Sequence, residues 1–234
     1  MTCDYSYLKS NVNDVMERVE KAALKSGRKL DDITVIAVSK TVDPERIMRV
    51  IDEGIIDLGE NRVQELTEKY DIIKRECNWH LIGHLQTNKV KYIIDKVKMI
   101  HSVDSLDLAK EIQKRANNIG KVADILIQVN VANEETKFGI DSSQVVSLAK
   151  EISGFPNIHV KGLMVIAPYA DDPEDVRGVF KEARKIFVDM RQENIDNINM
   201  DYLSMGMSND FEVAIEEGSN IVRIGTALFG KRQY

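Results

Sequence analysis

The sequence predicts a closed (β/α)8 barrel of the TIM type, carried as one domain over residues 1–234, with an extra helix ahead of the first strand. Three observations predict it. Short apolar runs of strand length alternate with polar, helix-patterned stretches, and about eight such runs occur, the number that closes this barrel. The length of 234 residues suits a barrel with no insertions. No GxGxxG or P-loop pattern supports the open doubly wound sheet that alternation alone would also fit.

The first element is the extra helix. From Tyr7 to Ser26, apolar Leu8, Val12, Val15, Met16, Val19, Ala22 and Ala23 recur three or four apart, and Gly27 ends the pattern. ITVIAVSK, Ile33 to Lys40, is a β-branched run too short for a core helix, and Asp43-Pro44 then caps the next helix. The later strands are expected near Ile56 to Gly59, Trp79 to Gly83, Met99 to Val103, Ile125 to Val131, His159 to Ile166, Tyr202 to Leu203 and Ile221 to Ile224, each separated by helical sequence. No repeat, low-complexity tract or long linker interrupts them. The chain ends shortly after the eighth strand at GTALFGKRQY, so no second domain is expected.

Composition narrows the function classes. Hydrophobic residues at 43% and charged residues at 30% describe an ordinary globular protein. A net charge of -6 argues against broad nucleic-acid binding, which needs an excess of Lys and Arg. Cys3 and Cys77 lie far apart without metal-ligand spacing, so neither a disulfide framework nor a zinc site is expected. No signal peptide or membrane-spanning run stands out, and a cytoplasmic protein is the expectation.

Barrels of this class carry their chemistry where strands end, so Lys40, a charge closing an apolar strand, is a candidate. A lysine partly withdrawn from water favours the free amine, the form that attacks an aldehyde to give a Schiff base, although a lysine snorkelling to the rim fits the same position. The far end of the chain adds weight. Ser204 to Gly218 reads as a glycine-containing loop, a Ser208 or Asn209 cap and a short helix, followed by the strand and loop NIVRIGTALFG. Gly225 permits close backbone approach and Thr226 adds a hydroxyl, in the region after strands seven and eight where such barrels build phosphate sites. Arg223, two residues earlier, offers a guanidinium that stays charged. Facing a pyridine nitrogen it would leave that nitrogen an acceptor and the ring a weak electron sink; a strand-end salt bridge is the competing reading.

Other candidates weigh less. His80 and His84 straddle a strand and its loop, which suits structural roles better than zinc. Glu60, Asn61 and Arg62 follow the second strand and are placed either at the mouth or, for the two charges, in solvent at a helix start. KFGI, Lys137 to Ile140, is a rim contact or a turn.

With AVSK at Ala37 to Lys40, LGENRVQE at Leu58 to Glu65, WHLIGHLQTNK at Trp79 to Lys89, GLM at Gly162 to Met164, LSMGMSND at Leu203 to Asp210 and VRIGTALFG at Val222 to Gly230, the chain resembles the pyridoxal-phosphate homeostasis proteins. These are the single-domain relatives of the alanine racemase N-terminal barrel. The resemblance spans nearly the whole length. It implies pyridoxal 5′-phosphate as cofactor, a Schiff base on Lys40, Arg223 facing the pyridine nitrogen, Ser208, Gly225 and Thr226 around the phosphate and Asn61 beside the ring. Ser204 and Met205 are expected close to the cofactor. His84 stands where many relatives have proline, which leaves its role open.

The function expected on this basis is binding, buffering or delivery of the cofactor without turnover, with effects on amino-acid and keto-acid balance. Apo forms of enzymes that use the cofactor are the expected partners, and a monomer or weak dimer the expected state. Two other readings stay open. An amino-acid racemase would need acid/base groups on both faces of the substrate, one of which comes in the two-domain racemases from a tyrosine of the additional domain; Tyr169 or Tyr202 would have to replace it. A Schiff-base aldolase acting on a sugar phosphate would use Lys40 and the same phosphate loops without the cofactor.

Overall fold

In the computed structural model, which describes residues 5–132, 134 and 138–230, eight parallel strands close into a barrel in the sequential order β1 to β8. They are β1 (Thr34–Val38), β2 (Asp57–Glu60), β3 (Asn78–Leu81), β4 (Val97–Val103), β5 (Ala123–Val129), β6 (Ile158–Val165), β7 (Ile198–Met207) and β8 (Ile221–Ile224). Pairing of Thr34 with Ile221 and of Ala37 with Ile224 closes the ring. Cys3 and Lys137, singled out in the sequence, lie outside the described residues.

The extra helix is α1 (Ser6–Lys25), whose stripe Leu8, Val12, Val15, Val19, Ala22 and Ala23 is buried. It packs on α7 (Phe211–Glu216), α8 (Thr226–Phe229) and α2 (Pro44–Asp52), and Asn11 Nδ2 donates to the Leu228 carbonyl at 2.8 Å. Asp43 caps α2 as expected, its carboxylate accepting from the Arg46 N–H at 3.0 Å. The outer ring continues with α3 (Val63–Ile72), α4 (Leu106–Asn118), α5 (Val145–Ser153) and α6 (Arg177–Gln192). None of the described helices is long and apolar enough to cross a membrane.

Three local expectations change. Between β3 and β4 the crossover is a 3₁₀ segment, Thr87–Tyr92, because six residues without a side-chain cap fall short of a stable α-helical nucleus. The seventh strand is longer than Tyr202–Leu203 and absorbs Ser204 to Met207, expected as loop. Gly162 on β6 makes this pairing possible. Its φ is +148°, and a Cβ there would sit 1.8 Å from the Tyr202 carbonyl oxygen, so only glycine lets the two strands approach. The cap of α7 is Asp210 rather than Ser208 or Asn209, with its carboxylate turned back to accept from the Met207 N–H at 2.6 Å.

The core has two parts. Most apolar side chains fill the layer between strands and helices, whereas Met99, Leu126 and Met164, with Ile166 and Tyr202 against them, form a separate cluster inside the ring. The lumen is therefore filled at its centre. What remains open is the mouth, where the strands end.

Candidate functional site

At the mouth, the loops after β1, β2, β3, β6, β7 and β8 surround a cavity of about 420 Å³. Lys40, Asn61, Ser208, Arg223, Gly225 and Thr226 all line it, together with apolar Val38, Ile82, Ile166 and Met207. Residues nearly two hundred positions apart in sequence are thus brought to one pocket of the size and mixed polarity of a small-molecule site.

Lys40 is the first residue of the turn that leaves β1, and the turn is fixed from outside the barrel. Glu60, fully buried at the end of β2, faces α3 rather than solvent or the mouth. Its Oε1 accepts from Lys69 Nζ at 2.6 Å and from Ser39 Oγ at 2.7 Å. Lys69 Nζ also donates to the Ser39 carbonyl at 2.7 Å and to Glu65 at 3.2 Å, and Glu65 accepts from the Thr41 N–H at 2.8 Å. Burial pushes the Glu60 carboxyl up, against the opposing pull of Lys69 and Ser39. The network clamps the backbone on both sides of Lys40 and holds Thr41 in the left-handed region at φ 62°.

On the opposite wall, Ser208 Oγ accepts from the backbone N–H of Gly225 at 3.1 Å and of Ala227 at 3.4 Å. Ser208, Gly225 and Thr226 therefore gather at one edge of the cavity, with the Gly225 and Ala227 N–H groups turned toward the Ser208 hydroxyl, a cluster of donors suited to a phosphate group. A Cβ at Gly225 would meet nothing closer than 3.5 Å, so the approach there is open. Asn61 carries a buried Oδ1 with no hydrogen-bond partner. Its backbone is pinned by Gly83, where a Cβ would fall 2.4 Å from the Asn61 carbonyl oxygen.

Arg223 reaches the cavity from the lumen side and is almost wholly buried, with Nη1 donating to Ser204 Oγ at 2.6 Å and Nη2 to the Val165 carbonyl at 2.9 Å. Burial lowers the guanidinium to about 10, against the longer-range pull of Asp210, and leaves it charged at neutral pH. Ser204 therefore lies beneath Arg223 instead of on the cavity wall. Met205 is buried in the barrel–helix layer on the other side of β7.

His101 and Asp57, which sequence reasoning passed over, sit behind these together with His80, expected there in a structural role. His101 Nδ1 lies 3.2 Å from Ser204 Oγ, its Nε2 lies 3.0 Å from His80 Nδ1, and His80 Nε2 lies 2.9 Å from Asp57 Oδ1. Burial holds both imidazoles below the ordinary histidine range; His101 is far below it, with His80 and Arg223 adding, while for His80 the Asp57 carboxylate opposes the shift. As pH falls below about 6.5 the unfolded chain takes up protons that the folded chain refuses, so acid removes stability. Both histidines together are expected to subtract about 1 to 2.5 kcal/mol between pH 7 and pH 5.5. Buried carboxyls held high, Asp104 and Asp210 among them, act in the opposite sense. The comparison to make is urea denaturation of wild type and His101→Asn across this range; equal pH slopes would refute the assignment.

The remaining candidates fall away from the cavity. His80 and His84 do not converge, because His84 stacks on Phe138 at 4.0 Å and faces Asp104 at 3.6 Å on the rim. KFGI is a rim contact as far as it is described: Phe138 is the stacking partner and Ile140 bridges to Val129. Arg62 is exposed. Tyr169 lines the cavity but is 77% exposed and donates to Asp171, while Tyr202 packs against the lumen cluster.

Residues 4–233 match the family described as alanine racemase, N-terminal domain. Among curated relatives, the pyridoxal phosphate homeostasis protein of Aquifex aeolicus is 49% identical over 221 residues, covering 94% of this chain and 96% of the relative. PipY of Synechococcus elongatus, solved with PLP bound, superposes with a TM-score of 0.80 at 32% identity, over 92% of this chain and all of PipY. An alanine racemase of Clostridium difficile shares the fold, with a TM-score of 0.76 at 17% identity, and this chain covers 58% of it.

Proposed function

Because the chain belongs to the alanine racemase N-terminal domain family, and within it to the pyridoxal phosphate homeostasis proteins, we propose that it binds pyridoxal 5′-phosphate in the mouth cavity and manages the cofactor by holding, buffering or delivering it. The observation that carries the proposal is the convergence of Lys40, Arg223 and the Ser208–Gly225–Thr226 donors on one cavity. When bound, the cofactor supplies an aldehyde that a lysine amine can capture reversibly and a ring that can delocalise electrons.

The chain's own residues have distinct tasks in this reading. Lys40 provides the amine, fixed at the cavity wall by the Glu60–Lys69 clamp behind it. The hydroxyls of Ser208 and Thr226 and the Gly225 and Ala227 N–H groups hold the phosphate. Asn61 turns its unsatisfied amide oxygen toward a ligand donor. Arg223 donates to the pyridine nitrogen and, being unable to give up its proton, keeps that nitrogen an acceptor. Ser204 contributes through Arg223, and Met205 by packing.

The same features favour custody over turnover. Without protonation the ring is a weak electron sink, and the one tyrosine among the cavity's described lining residues points to solvent. Residues 1–234 act as one functional unit in this proposal, in the cytoplasm, with apo forms of cofactor-dependent enzymes as recipients and as a monomer or weak dimer.

Gly225→Asp tests the phosphate assignment. The side chain has room, so folding should survive, while its carboxylate lies at the proposed phosphate edge. Affinity for pyridoxal 5′-phosphate should fall about tenfold by charge repulsion, and affinity for unphosphorylated pyridoxal should not change. Equal losses for both ligands would move the phosphate elsewhere.

A further inference from the structure

A line of side chains crosses the barrel from floor to mouth. Asp57 is the first residue of β2, at the floor; His80 is on β3, His101 on β4, Ser204 on β7 and Arg223 on β8. β4 and β7 are not neighbours in the ring, so the His101–Ser204 contact can only span the lumen. All four links are 2.6 to 3.2 Å long.

Proton accounting gives the line a direction. Arg223 can only donate and the Asp57 carboxylate can only accept, so Ser204 Oγ accepts from the one, His80 Nε2–H donates to the other, and between them the serine hydrogen turns to His101 Nδ1. The His101 proton is then on Nε2 and goes to His80 Nδ1. That leaves the His80 proton on Nε2, pointing at Asp57. Both imidazoles are neutral and every ring nitrogen is used. A protonated His101 would instead donate to Ser204, leave the serine hydrogen without an acceptor and place a second buried cation beside Arg223. At the floor, Asp57 also accepts from Asn78 at 3.0 Å and Lys98 at 3.3 Å, which favour its carboxylate form. Among the described residues Arg223 contacts Ser204 Oγ and the Val165 carbonyl and no carboxylate; Asp210 acts on it only at longer range.

We propose that Asp57, His80 and His101 are positioning residues for Arg223, acting through a one-way hydrogen-bond relay that couples the buried guanidinium to a carboxylate at the far end of the barrel. The consequence for the cofactor, that the donor facing its ring nitrogen is oriented from the barrel floor, rests on the function proposed above. The relay itself does not.

The test uses the full chain labelled with ¹⁵N. Without pyridoxal phosphate at pH 7, both ring systems should report hydrogen on Nε2 and a lone pair on Nδ1. Asp57→Ala should shift the His101 ring nitrogens, which Asp57 does not touch, and speed exchange of the Arg223 guanidinium protons; Asp57→Asn, of equal shape, should do the same to a smaller degree if the alanine variant fails to fold. A local structural role would perturb His80 alone, and that result, or hydrogen on Nδ1 of either ring, would overturn the relay. Adding pyridoxal phosphate, Asp57→Ala and His101→Gln should each bind about tenfold more weakly and show a displaced visible band. Unchanged affinity and spectrum, with the relay present, would overturn the positioning role. Failure of the wild type to bind would remove the cofactor reading, leaving the relay to be decided by the ligand-free spectra.

Discussion

Lys69→Met is expected to lower folding stability by about 3–5 kcal/mol, the cost of leaving a buried charge without its partner. The ammonium is the partner of Glu60, which is fully buried and already has one oxygen, Oε2, unsatisfied. Methionine matches the length of the lysine stem, so packing is largely retained and the loss reports electrostatics and hydrogen bonding. Glu60→Leu in the same chain should recover most of the loss, because the stranded carboxylate goes with it. Denaturant unfolding of the single and double variants provides the comparison. If both losses were alike and additive, the pair would be irrelevant to the fold. The effect should extend to function. The same ammonium holds the Ser39 carbonyl, so the turn that presents Lys40 loosens and cofactor binding weakens even in folded protein.

Lys40→Ala is expected to abolish the visible band of bound pyridoxal phosphate and weaken binding on the order of a hundredfold, about 2.7 kcal/mol. Binding should not vanish. The phosphate edge and Arg223 are untouched by the substitution, so the residual affinity should still prefer the phosphorylated ligand. Lys40→Arg keeps a positive charge in the cavity but has no amine to condense with an aldehyde, and it should behave like the alanine variant. A Lys40→Arg protein that kept wild-type affinity would show that charge, and not covalent capture, holds the ligand.

How far the sequence discloses this arrangement depends on the side of the strands involved. The strand count and the extra helix were legible because period and punctuation agree, as in ITVIAVSK followed by Asp43-Pro44. Lys40, Arg223, Ser208, Gly225 and Thr226 were legible because each lies at or just after a strand end, where loops converge. The full extent of β7 was not, because INMDYLSMGM is poor in β-branched residues and its pairing depends on Gly162 of another strand. Lys69 reads as a solvated helix residue paired four positions from Glu65, and nothing local reveals that Glu60 lies beneath it. The alternation along β2 held one clue, since Leu58 and Glu60 share the face turned toward the helices. In the same way Met99 and His101 share the lumen side of β4, but a lone histidine on such a face gives no hint of partners on β3 and β7.

The most direct test of the central claim is the absorption spectrum of the purified chain with pyridoxal 5′-phosphate, followed by borohydride reduction and peptide mapping. A visible band and a single stoichiometric pyridoxyl adduct on Lys40 are the expected result. No band, or adducts scattered over exposed lysines with Lys40 unmodified, would contradict it.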